Sequence, residues 1–339
     1  MSNLSENKLN TTNNRKVKKR KVVILATGGT IAGVGERRKT TGYRAGTLTV
    51  ADLTKAVPEV ENIAALDEIQ ICNLNSDDIT EAIWMELAMQ INELSKDEEV
   101  AGFVITHGTD TMEETAYFLN LTIKTDKPVV LTGSMRPSTS ISADGPMNLY
   151  EATCVAASEA AVGKGVLVVF SDHIYPARLV TKMSTYKVMA LAAGEMGAIG
   201  IVKDGNVFIY QGIDKCHTIN TEFDINDIKS LPKIYIVYFA LGADPELLRF
   251  AAEHSDGIVI AGAGAGEFSE GYKKVIEQIK IPVVISSRIN DGIIVKENLL
   301  CKNTIAADNL LPQKAAILLR LALTKTTDHK RLQEMFLKY

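Results

Sequence analysis

Tryptophan occurs once in the 339 residues, aromatic side chains make up 6% of them, and there are only five histidines and four cysteines. The cysteines stand at 72, 154, 216 and 301, too far apart for a zinc knuckle, a redox pair or a small disulfide scaffold. The histidines, at 107, 173, 217, 254 and 329, show no metal-ligand spacing, so neither a metal nor another cofactor is expected. No segment approaches the ~20 consecutive apolar residues of a membrane helix. The apolar run 22–26, which follows a polar start, is too short for the hydrophobic region of a signal peptide. A cytoplasmic chain without a membrane partner is expected. Positive charge is also scarce outside residues 1–21. The net charge is −4, but those residues hold seven Lys or Arg against one Glu, which leaves the rest at −10. That balance argues against nucleic acid as a partner, and the basic run 15–21 reads as a solvated tail.

What is present is ordinary: 46% hydrophobic and 23% charged residues, enough to bury a large core and long enough for two domains. Short, continuous apolar runs at 22–26, 69–72, 102–105, 128–131 and 165–170 alternate with stretches of helical period, the pattern of a parallel sheet covered on both faces. Thr49 and Asp52 form a capping pattern ahead of a helix reaching residue 57. Further helices are expected at 78–94, 111–121 and 148–161, the last with Pro146 near its first turn. The pattern lapses over 211–233 and resumes as a second alternation. The expected fold is therefore α/β: a basic tail at 1–21, an N-terminal unit at 22–210 with a mostly parallel sheet and helices on both faces, a linker at 211–233, and a smaller C-terminal α/β unit at 234–339.

In such a sheet ligands gather beyond the carboxyl ends of the strands. The first strand runs into Ala26-Thr27-Gly28-Gly29-Thr30-Ile31-Ala32-Gly33, the second into Asn75-Ser76-Asp77-Asp78, and the third into Thr106-His107-Gly108-Thr109-Asp110-Thr111. The glycines lack dinucleotide spacing, Gly163-Lys164-Gly165 fails as a phosphate loop, and there is no nucleophile elbow. What remains is a hydroxyl, Thr30, on a glycine-flanked turn that allows close approach of a ligand. As a nucleophile it needs a proton acceptor; as a helix cap it needs none, and both readings are open. Lys182, in an irregular stretch, reads either as a buried lysine of lowered pKa or as a surface one. Tyr43, in a glycine-bearing polar segment, reads either as a lid residue or as an exposed loop aromatic.

These same segments, together with Met135-Arg136-Pro137-Ser138, Ser142-Ala143-Asp144-Gly145-Pro146, Ser286-Ser287-Arg288 and Pro312-Gln313-Lys314-Ala315, resemble the signatures of bacterial type II L-asparaginases over residues 22–339. The resemblance implies hydrolysis of L-asparagine to aspartate and ammonia through a threonine acyl-enzyme, with minor glutaminase activity. It implies Thr30 as nucleophile with Tyr43 as its lid partner, and Thr109, Asp110 and Lys182 as a proton relay. Gly29, Ser76, Asp77, Thr109, Asp110 and Glu297 would bind the substrate. It further implies a homotetramer of intimate dimers, the small unit of one subunit completing its neighbour's site. This chain departs from the family pattern in having Asp77 for a common Gln and Ala265 for a common Asn, and Ser95 and Thr125 stand where some members pair cysteines. The hydrolase subunit of a tRNA-dependent amidotransferase shares these signatures but carries a large extra N-terminal domain, and the departures at Asp77 and Ala265 carry a further reading, a protein that senses asparagine or aspartate without hydrolysing it.

Overall fold

A computed structural model describes residues 19–36, 39, 42, 44 and 46–339. Its strands are β1 (Lys21–Gly28), β2 (Ala65–Leu74), β3 (Val100–Thr106), β4 (Val129–Thr132), β5 (Val166–Phe170), β6 (His173–Pro176), β7 (Thr181–Lys182), β8 (Leu191–Ala192), β9 (Gly200–Lys203), β10 (Asn206–Ile209), β11 (Ile234–Tyr238), β12 (Gly257–Gly262), β13 (Val283–Ser287) and β14 (Ile305–Ala306). Its helices are α1 (Val50–Lys55), α2 (Val60–Ile63), α3 (Glu81–Leu94), α4 (Met112–Thr122), α5 (Gly145–Ala156), α6 (Glu246–His254), α7 (Glu270–Ile276), α8 (Pro312–Leu323) and α9 (His329–Lys338).

The larger sheet runs β10-β9-β6-β5-β4-β3-β1-β2, parallel from β5 to β2 and antiparallel from β5 to β10. Alternate residues of its central strands enter two cores. Val23, Leu25, Phe103 and Ile105 face α3 and α4, whereas Val22, Ile24, Ala26 and Val104 face α1, α2 and α5. The smaller sheet, β11-β12-β13-β14, is parallel throughout. Helix α8 belongs to both units, because its buried residues join the core of α3 and α4 and also meet Val259, Val284 and Ile305 of the small sheet. The segment 211–233 buries Phe223, Ile225 and Ile228 in that same core rather than crossing solvent.

Two expectations need adjustment. β2 is an edge strand, and none of its residues is fully buried, so its apolar run does not mark a strand covered on both faces. The helix expected from residue 78 starts at Glu81, because Ser76–Asp78 forms a separate 3₁₀ turn. The capping box at Thr49 is present, with the Thr49 amide donating to Asp52 at 2.9 Å and the Asp52 amide donating to Thr49 Oγ1 at 3.3 Å.

Candidate active site

The carboxyl ends of β1, β2 and β3 are neighbours, and the turns leaving them touch through their backbones. A side chain at Gly29 (φ +79°) would place its Cβ 2.4 Å from the Gly108 nitrogen, and one at Gly28 (φ +108°) would lie 2.5 Å from the Leu74 nitrogen. A Cβ on Gly108 would lie 2.8 Å from Ser76 Oγ. Only glycine permits this stacking at the left-handed positions 28 and 29. Its consequence is to draw together the residues that follow: Thr30, Thr109 and Ser76.

Thr30 opens a 3₁₀ turn, Thr30–Ala32, whose N-cap is Gly29, so Thr30 lies inside the turn and is not its cap. It is buried. Gly29 is committed to the turn itself: its amide donates to the Leu74 oxygen at 2.8 Å, and its oxygen accepts from the Ala32 and Gly46 amides.

The turn after β3 carries the ionic part of the site. Lys182, on the short β7–β8 hairpin, directs its ammonium between two acceptors: Nζ donates to Thr109 Oγ1 at 2.7 Å and to Asp110 Oδ1 at 2.6 Å. The Lys182 side chain is 16% exposed and that of Asp110 69%, so the pair runs from the protein interior to the rim. The Lys182 ammonium is thus part-buried and paired. Thr109 Oγ1 donates in turn to the Met135 sulfur at 3.4 Å. Met135 is held by Asp144, which accepts from the Met135 and Arg136 amides at 2.8 and 2.9 Å. Burial raises the Asp144 pKa against these backbone bonds.

Ser76 is buried, and its Oγ accepts the Asp110 amide at 3.2 Å. This leaves its hydroxyl proton to donate elsewhere. Its carbonyl accepts from Thr111 Oγ1 at 2.6 Å. Asp77 is exposed, beside a polar cavity also lined by Ser76, Thr111, Glu114 and Arg320.

His107, the one histidine next to a rim motif, is not placed to act as a base. It is fully buried, and desolvation lowers its pKa to about 4. Trp84 Nε1 donates to Thr115 Oγ1 at 2.8 Å, Thr115 Oγ1 lies 3.0 Å from His107 Nε2, and His107 Nδ1 lies 2.7 Å from the Gly108 oxygen. A neutral ring protonated on Nδ1 satisfies all three contacts and fixes the Gly108 carbonyl.

Tyr43 lies outside the described residues. Glu297 sits on an exposed 3₁₀ turn, Lys296–Asn298, of the small unit. Among the described residues it makes no hydrogen bond or ion pair with the rim. Among the described residues, no group of three or more His, Cys, Asp or Glu is placed to hold a metal ion, and no helix is long and apolar enough to cross a membrane. Sequence reasoning passed over Gly108 and Met135 as site-forming residues. The Gly108 signal was present, since a glycine between two polar rim residues marks close backbone approach; a methionine below the rim carries no such mark.

The profile of Asparaginase, N-terminal, matches residues 21–215, and that of the Glutaminase/Asparaginase C-terminal domain matches residues 233–336. L-asparaginase 2 of Bacillus subtilis (strain 168) is 44% identical over 322 residues, covering 93% of this chain and 86% of its own length. A glutaminase-asparaginase of Acinetobacter glutaminasificans is 43% identical over 95% of this chain and 100% of its own. The crystal structure of a probable cytoplasmic L-asparaginase from Campylobacter jejuni superposes with a TM-score of 0.91 at 46% identity, covering 95% of this chain and 100% of that one. With both halves matched in order and the whole fold shared, this chain belongs to the glutaminase/asparaginase family.

Proposed function

We propose that the protein hydrolyses L-asparagine to L-aspartate and ammonia through a threonine acyl-enzyme. The observation that carries this reading is the Lys182 ammonium held between Thr109 and Asp110, on the turn that stacks against the glycine beside Thr30. In the first half-reaction the Thr30 hydroxyl adds to the side-chain amide carbon, the C–N bond breaks, and the nitrogen leaves as ammonia with the hydroxyl's proton. In the second, water adds to the ester, its proton returns to the Thr30 oxygen, and aspartate departs. Thr109, Lys182 and Asp110 pass the protons, because a threonine hydroxyl is too weak an acid to react unaided. Ser76 donates to the substrate carboxylate, Asp110 and Asp77 face its ammonium, and Gly29 contributes space rather than a donor.

Tyr43 as lid partner, and Glu297 delivered by a neighbouring subunit in a homotetramer of intimate dimers, complete this reading. Among the described residues Glu297 makes no hydrogen bond or ion pair with its own chain's rim, which agrees with delivery from another copy. A cytoplasmic location is supported by the name of the Campylobacter jejuni relative. One methylene distinguishes glutamine from asparagine and is worth only ~1–3 kcal/mol, so minor glutaminase activity is expected. The Acinetobacter relative's name includes glutaminase, which supports some activity on glutamine.

A coupled ammonia assay tests the proposal. Thr30→Ala is expected to lower kcat on the order of 10³-fold or more, and ammonia release is expected to disappear in Thr109→Val as well. Turnover of asparagine at the wild-type rate in Thr30→Ala would remove the nucleophile assignment, and kcat/KM for the two amides measures the preference.

A further inference from the structure

Helix α8 is apolar around most of its circumference, yet its third residue is a lysine that is 1% exposed. That position is unfavourable twice over. A cation in the first turn meets the positive end of the helix dipole, and a buried ammonium loses its hydration unless specific acceptors replace it. Burial lowers the Lys314 pKa to about 8, with Glu113 and Glu114 opposing the change and Arg178 adding to it.

The acceptors are three backbone oxygens of a single strap. Lys314 Nζ donates to Ala177 O at 2.9 Å, to Arg178 O at 3.0 Å and to Val180 O. Residues 177–180 connect β6 to β7, and β7 ends on Lys182. The strap folds back on itself through Leu179 and Val180, whose amides donate to the Pro176 oxygen, and this turns its carbonyls toward α8. A second hold comes from the same unit, since the buried Arg178 guanidinium donates to Asp308 at 3.1 Å and to Asn309.

We propose that Lys314 is a positioning residue for Lys182: by gathering the carbonyls of Ala177, Arg178 and Val180 it fixes the strap that places the Lys182 ammonium between Thr109 and Asp110. The C-terminal unit thereby sets the geometry of a relay that lies wholly in the N-terminal one. The inference rests on the role given to Lys182 above, and its test separates the two.

Four proteins are compared in steady-state ammonia release at a temperature where all are folded by circular dichroism: wild type, Lys314→Met, Lys182→Met and the double variant, at enzyme concentrations that resolve residual turnover. Lys314→Met keeps the length of the chain and removes the ammonium. It is expected to lower kcat about 10- to 100-fold, the scale of a ~1 Å misplacement, while KM changes less than about threefold. In the Lys182→Met background the same substitution should change kcat less than about twofold, because the two act as one unit. Wild-type turnover in Lys182→Met would sink the relay reading itself. An inactive Lys182→Met beside a fully active Lys314→Met, or equal losses from Lys314→Met in both backgrounds, would overturn the positioning role alone. Where Lys314→Met does not fold, Lys314→Gln, which keeps a donor, takes its place. Where neither folds, hydrogen exchange on the wild-type enzyme decides: protection of the Leu179, Val180 and Met183 amides supports a fixed strap, and exchange at free-peptide rates overturns it.

Discussion

At the scale of single residues, the site separates polar side chains that hold its shape from those that face its opening. His107 belongs to the first kind. It sits in the middle of a closed set of hydrogen bonds from Trp84 to the Gly108 carbonyl. Its pKa, depressed to about 4 by burial, means that the native state refuses a proton that the unfolded chain takes up at its ordinary value of 6.5. The associated stability is present above pH 6.5 and is lost as pH falls through about 4. Replacing the ring leaves Thr115 and the Gly108 carbonyl short of a buried partner, at a cost of about 1–3 kcal/mol. His107→Gln should therefore lower the free energy of unfolding by that amount at neutral pH, read as a lower urea midpoint at unchanged m-value. A stability indistinguishable from wild type would show that the contacts are dispensable. Lys182 illustrates the limit of composition: its partners are Thr109 and Asp110, more than 70 positions earlier, so a local window cannot separate a paired lysine from an unpaired surface one.

At the scale of elements, the decisive feature is three turns stacked through glycines, backbone to backbone at Gly28 and Gly29 and against the Ser76 side chain at Gly108. Gly29→Ala sets a methyl against the Gly108 backbone at a left-handed φ. The turns must then separate by a sizeable fraction of an ångström, and activity is expected to fall about 10²-fold or more. The check is kcat/KM for asparagine in a variant whose circular dichroism matches wild type; preserved activity would mean that the turns are free to part. The central strands and most helices were legible, because continuous apolar runs and the 3.6-residue period report burial directly. The antiparallel extension was less so. Asp204-Gly205, both at positive φ, joins β9 to β10 and is a readable hairpin signal. Ser171-Asp172, also at positive φ between β5 and β6, carries no such signature. Edge strands such as β2 were legible as strands but not as edges, since edge position depends on partners elsewhere in the chain.

At the scale of the whole molecule, stability should depend on pH through several buried groups of opposite sign. Glu151, on α5, accepts the Asp172 amide at 3.1 Å. Its pKa is raised to about 8 by burial and then by a side-chain hydrogen bond with Asp172. A raised carboxyl pKa contributes stability that is complete below the ordinary value of 4.5 and is lost as pH rises to about 8. Glu114, raised to about 7 chiefly by burial, acts in the same sense, and His107 acts in the opposite one. Glu151→Gln keeps both hydrogen-bonding roles without the charge. The expected outcome is a flatter profile of urea midpoint against pH between 4.5 and 8, with the variant ahead of wild type at the alkaline end. An unchanged slope would mean that Glu151 does not ionise across that window.

Gly28, Gly29 and Gly108 meet their neighbours with no side chain of their own, so no rotamers of theirs are frozen where the turns close on one another. The conformational freedom lost in packing them is that of glycine backbone, given up once when the chain folds, and none of it is left to be lost in side chains at these positions.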